Sequence, residues 1–192
     1  MQKSPTQLKV LATSNSFRIE FIKHIGTEDY QPLIKISESL AHDYGARAKL
    51  TPNTIQTYFN RQGSLPFIAR HQNEIIGYII GVPLENLSKE PWARMDKNFG
   101  EKNTIYTHAF VIKEKFKGNG YAKMLKKVYL NWIKKRADIN YVTGHVRKGI
   151  ASRFKGLIHI IDNIDNWQGT GKTFEYYRRE LDQENIYTDT LH

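Results

Sequence analysis

Residues 104–146 constrain the fold more than any other part of the chain. An apolar run, Thr104 to Ile112, passes into a short basic loop ending Lys117-Gly118-Asn119-Gly120. The loop opens a segment, Tyr121 to Arg136, that carries Leu125, Val128, Trp132 and Ile133 on one helical face, and a second apolar run covers Ile139 to Val146. Strand, helix, strand in this order predicts a right-handed crossover between two parallel neighbours. The start of a helix leaves N–H groups unpaired and carries partial positive charge, and glycines let the backbone approach an anion closely. The loop therefore reads as a cradle for phosphate, with Lys117 and Lys123 adding charge.

Other segments place this unit in a mixed sheet. Phe17 to Ile22 reads as a first strand, behind an N-terminal tail of about residues 1–15. Tyr30 to Tyr44 is an amphipathic helix stopped by Gly45, and Thr51-Pro52 opens a second helix that runs to Gly63. Leu65 to Arg70 and Glu74 to Val82 form a hairpin; the second strand is apolar on both faces, so it is central, and Gly77 and Gly81 mark a bulge or a close approach. Leu84 to Lys102 is polar, irregular and long for a plain connection. Leu157 to Ile164 and Thr173 to Tyr177 close the sheet. The expected fold class is mixed α/β: a mostly antiparallel sheet of about seven strands, helices on both faces, in a single domain over 1–192.

The loop resembles motif A of the GNAT-family N-acetyltransferases, Gln/Arg-x-x-Gly-x-Gly/Ala, here Lys117-Gly118-Asn119-Gly120-Tyr121-Ala122. Lysine replaces the first residue, keeping charge and losing the planar fork. The order of elements from about Phe17 to Leu181 is similar to that family, as is the aromatic stretch Asn163 to Tyr177. The resemblance implies acetyl-coenzyme A as co-substrate, held where two central parallel strands splay. Phe110, Val111 and Ile112 would bind the acetyl and pantetheine arm, residues Lys117 to Lys123 the diphosphate, and Ser152 would face the cofactor. The acceptor would be a primary amine, on a small molecule or on a protein or peptide. Dimers are common in the family.

Acetyl transfer needs a base for the amine and an acid for the thiolate. His108 is the candidate base; by the two-residue period Tyr106, His108 and Phe110 share a face. The family's tyrosine after the fifth strand is missing from Lys148 to Gly156, which leaves Tyr176 or Tyr177 as candidate acids. Glu85, Trp92, Asp96 and Tyr106 are candidate substrate contacts, with Glu85 and Asp96 also weaker base candidates. The competing reading is a GNAT-fold module that binds nucleic acid or protein, or senses acyl-coenzyme A without turnover.

Composition narrows the alternatives. With no cysteine there is no disulfide, thiolate metal site or cysteine nucleophile, and the seven histidines lack ligand spacing, so no metal is expected. The net charge of +10 favours anionic partners, for which the cofactor suffices and nucleic acid is disfavoured. No secretory leader or membrane-length apolar run is evident, so a cytoplasmic protein is expected. Gly169-Thr170-Gly171-Lys172-Thr173 imitates a nucleotide-binding loop, but Asn166 stands where that loop needs glycine.

Overall fold

The structure, a computed structural model, describes residues 4–181. Eight strands form one sheet: β1 (Gln7–Ser14), β2 (Phe17–His24), β3 (Leu65–His71), β4 (Glu74–Pro83), β5 (Thr104–Ile112), β6 (Tyr141–Arg147), β7 (Ile158–Ile164) and β8 (Phe174–Glu180). Their order across the sheet is β1-β2-β3-β4-β5-β6-β8-β7. Every pair is antiparallel except β5 and β6. The helices are α1 (Tyr30–Tyr44), α2 (Pro52–Phe59), α3 (Pro91–Met95) and α4 (Tyr121–Lys134). The mixed α/β class, the parallel pair and the crossover through α4 are as the sequence predicts.

Both faces of the sheet are covered, which is why β4 has no polar side within Ile75–Val82. On one face Leu33, Ile36 and Leu40 of α1, with Ile55 and Phe59 of α2, pack on Ile68, Tyr78, Ile80 and Val82. On the other, Leu125, Tyr129 and Ile133 of α4 pack on Ile19, Phe67, Ile79 and Ile105. Each such fully buried side chain contributes about 1.5–3 kcal/mol. Local signals set the helix ends. Thr51 accepts from the Thr54 N–H and Thr54 accepts in return, a reciprocal cap with Pro52 in the first turn.

Two regions depart from expectation. Residues 7–14, read as part of a tail, form edge strand β1 against β2. An edge strand is held on one side by main-chain bonds, and here Leu8 and Val10 remain exposed, so the apolar alternation that reveals a strand is weak. The stretch 84–102 is tethered rather than loose. Asp96 is buried and accepts from the Tyr176 hydroxyl and the Arg178 guanidinium, both at 2.6 Å. Glu85 accepts from the N–H groups of Gly100 (3.2 Å) and Lys102 (2.9 Å). A polar segment can be ordered when its carboxylates hold it to the body of the protein.

Candidate active site

The parallel pairing of β5 with β6 covers only Thr104↔Tyr141, Ile105↔Val142 and Tyr106↔Thr143. Beyond it the strands part. The β6-side main-chain groups of Phe110, Val111 and Ile112 thus have no strand partner among the described residues. On its other edge β5 carries a bulge: Ile80 faces Ala109 and Gly81 faces Thr107, so His108 has no opposite residue. A side chain at Gly81 would strike the Tyr129 hydroxyl of α4, which lies 3.1 Å from the Thr107 hydroxyl. That contact holds α4 against the bulge.

The bulge corrects one expectation. Strict alternation would put Tyr106, His108 and Phe110 on one face. Instead Tyr106 and His108 both face α1 and α2, with the His108 ring 3.8 Å from that of Tyr58, while Phe110 packs on the α4 side. The extra residue shifts the alternation by one.

A cavity of about 200 Å³ lies at the splay and is walled from both faces. On the α4 side it meets Lys126, Tyr129, Leu130, Phe154, Tyr177 and Arg179. The other side supplies Tyr44, Tyr58, Tyr106, His108, His145 and the two tryptophans Trp92 and Trp167. Tyr177 stands at the junction. Any side chain at Gly144 would meet its hydroxyl at 3.2 Å and the Thr107 carbonyl at 3.4 Å, so glycine there lets the strands stay close where they separate.

The titratable groups divide by environment. Burial lowers the His108 imidazole to about 4 and that of His145 to about 3, so both are neutral at physiological pH. His108 has no hydrogen-bond partner among the described residues. His145 Nδ1 lies 3.0 Å from the Tyr106 hydroxyl, and its Nε2 is buried with no partner among the described residues. Burial raises Tyr177 to about 12, which keeps its hydroxyl protonated. Tyr176 is also raised, by burial and by Asp96, but its proton is already donated to Asp96. Burial works against the Asp96 charge, yet hydrogen bonds from Tyr176, the Asn98 N–H and Arg178 hold the carboxyl below its usual range. Lys126 lies 3.5 Å over the Phe154 ring and is lowered to about 8 by burial and then by Arg179.

The glycine-rich loop lies between β5 and α4. Gly118 and Gly120 have φ of +81° and +77°, and a Cβ at either would meet nothing within 4 Å. The backbone thus faces open space in a conformation L residues rarely adopt. Gly120 caps α4 without a side-chain hydrogen bond, and the first turn contains no acid. The N–H groups there fit an anion. The Asn119 amide donates to the Phe116 and Lys117 carbonyls and braces the loop. The Tyr121 ring stacks on Phe17 at 4.3 Å, which anchors the helix start and leaves its main chain toward the loop. Lys117 pairs with Glu114, and Lys113 and Lys115 share Glu74. Lys123 is exposed.

Other sequence candidates lie apart from this geometry. Ser152 is exposed and donates to the Gly149 carbonyl at 2.9 Å, while Phe154 two residues on reaches the cavity. Glu85 and Asp96 serve the tethers described above. Sequence reasoning missed His145, Tyr58 and Trp167 as site residues. Only the aromatic stretch around Trp167 carried a signal. Among the described residues no group of three or more His, Asp or Glu could hold a metal, and no helix is long and apolar enough to cross a membrane.

With this geometry in place, comparison with known proteins is decisive. The family model described as acetyltransferase (GNAT) family matches residues 32–153, which span α1, the splay and the loop. The chain belongs to the GNAT acetyltransferase family. Solved members share its fold at low identity. The ribosomal-protein-S18-alanine N-acetyltransferase from Escherichia coli is 12% identical with a TM-score of 0.57, over 95% of this chain and 99% of that one. Ard1 from Thermoplasma volcanium is 14% identical with a TM-score of 0.61, over 87% and 99%. Arabidopsis thaliana NAA60, in complex with a bisubstrate analogue, is 14% identical with a TM-score of 0.60, over 85% and 99%. No curated protein sequence matches it.

Proposed function

We propose that this GNAT protein moves an acetyl group from acetyl-coenzyme A directly to a primary amine. The observation that carries the reading is the loss of β5–β6 pairing after Tyr106, a few residues before a loop suited to phosphate. Main-chain N–H groups of residues 118–122 would hold the diphosphate, and β5 at Phe110, Val111 and Ile112 would take the pantetheine arm. The acceptor would enter from the side of α1 and α2.

Chemistry then follows from the groups in the cavity. The amine nitrogen attacks the thioester carbonyl carbon, the C–N bond forms and the C–S bond breaks, and the electron pair leaves on sulfur. His108, neutral and without another partner, takes one proton from the ammonium group before attack, and the second nitrogen proton, released as the C–N bond forms, passes to the Tyr177 oxygen once Tyr177 has protonated the thiolate. Tyr177 at the junction gives its proton to the thiolate, while Lys126 and Arg179 favour the negative charge that develops there. Holding both partners in one cavity supplies much of the acceleration.

Calorimetry with acetyl-coenzyme A tests the donor site. Wild type should bind, and Gly120→Glu should weaken binding about 100-fold or more, because it combines positive φ with a carboxylate at the anion site. Undiminished affinity in a folded Gly120→Glu variant sinks the assignment. Salt-dependent binding of DNA or RNA, indifferent to coenzyme A, would favour the binding-module reading instead.

A further inference from the structure

The α1 and α2 side of the cavity has a composition of its own. Seven aromatic rings reach it: Tyr44, Tyr58, Trp92, Tyr106, His108, His145 and Trp167. All but Tyr44 form a continuous run, in which His108 links Tyr58 to Tyr106. Trp92 lies 4.8 Å from Tyr106 and 4.7 Å from His145, and His145 stacks on Trp167 at 4.0 Å and 22°. Charge on this side is sparse. Glu90 is the one carboxylate among the cavity residues, partly exposed at the rim and 3.8 Å from Arg47. Two buried nitrogens, Trp92 Nε1 and His145 Nε2, have no hydrogen-bond partner among the described residues. A buried donor or acceptor left unpaired costs about 1–3 kcal/mol, which a bound molecule can offset.

We propose that the acceptor is a small primary amine with a single positive charge carried on a flat aromatic body, an arylalkylamine in chemical class. The inference rests on the acetyl-transfer reading and deepens it. Polyamines and aminoglycosides carry several positive charges and need several carboxylates, whereas the described cavity residues include one acid. A cavity of about 200 Å³ that must also admit the thioester leaves little room for a peptide or an oligosaccharide. Aromatic faces stack on a ring and attract an ammonium group by their quadrupoles. With both imidazoles neutral, the histidines add no charge against the incoming cation, and Arg47, the cation on this side, is paired with Glu90.

Thiol release from acetyl-coenzyme A is measured with phenethylamine, spermidine, kanamycin and a hexapeptide that begins with alanine. Phenethylamine should exceed each of the others in kcat/KM by about tenfold or more. Trp92→Leu should raise KM for phenethylamine about tenfold or more while KM for acetyl-coenzyme A stays unchanged. Glu90→Gln, at the rim, should raise it less, and it carries the test if Trp92→Leu does not fold. Faster turnover of spermidine, kanamycin or the peptide overturns the proposal. So does an unchanged KM for phenethylamine in both variants. Acetyl-coenzyme A that binds while none of the four amines is acetylated overturns the acceptor class and leaves the donor site standing. Acetyl-coenzyme A that fails to bind removes the underlying reading itself.

Discussion

On the α4 side of the sheet, the loop offers open main-chain N–H groups at residues 118–122, and the cavity sets the cations Lys126 and Arg179 among Tyr129, Phe154 and Tyr177. On the α1 and α2 side rings dominate the wall, and Glu90, beside Arg47, is the one carboxylate among the described cavity residues. The first half comes mostly from contiguous residues, 107–130. The second gathers residues from 40 to 168. A phosphate looks the same on every coenzyme, so backbone geometry suffices to hold it. An acceptor differs from enzyme to enzyme, so the half proposed for it would be made of side chains brought together by the fold.

Substitutions on either side sharpen the contrast. His108→Ala should have the largest effect, lowering kcat about 10²–10⁴-fold while acetyl-coenzyme A affinity holds, as calorimetry and steady-state rates would reveal. An equal loss of cofactor binding would blur the division. Next comes Tyr177→Phe, which should lower kcat about 10–100-fold. Tyr176→Phe, one residue away, should instead cost about 1–3 kcal/mol of stability by removing its bond to Asp96, with kcat little changed. Reversed outcomes for the two tyrosines would move the acid to the other side chain.

The smallest effect is on stability against pH. His108 and His145 have folded-state values of about 4 and about 3, against 6.5 for the free side chain. As pH falls below 6.5 the unfolded chain takes up protons that the folded chain refuses, so stability falls on acidification and is fully present above 6.5. By pH 5 each histidine should remove on the order of 1–2 kcal/mol. Thermal melts of wild type should therefore drop between pH 6.5 and 5, and those of His145→Gln should drop less. A Tm independent of pH in that window would mean that these rings are solvated.

The loop and crossover proposed for the donor were legible as structure because their information is local. Glycines, lysines and the helical period sit within about twenty residues, and each has a physical meaning by itself. The acceptor half was not. Nothing near His145 in sequence announces that Trp167 and Tyr106 will meet it, since those contacts depend on how β6, β8 and β5 are ordered in the sheet. The β5 bulge escaped for another reason: it shifts the alternation without changing the composition of the strand. Asp96 read as a loop acid because its partners, Tyr176 and Arg178, lie some eighty residues further on.

That last arrangement bears on how specificity is exercised. Trp92 and Glu90 sit on the same segment that Asp96 fastens to β8, the strand that carries Tyr177. To swing this segment outward, the protein would have to separate a buried carboxylate from a buried guanidinium, which is costly. The aromatic wall is therefore a fixed template rather than a hinged cover, and on the proposed reading a poorly fitting amine would be turned away by shape at the entrance, before the thioester is ever at risk.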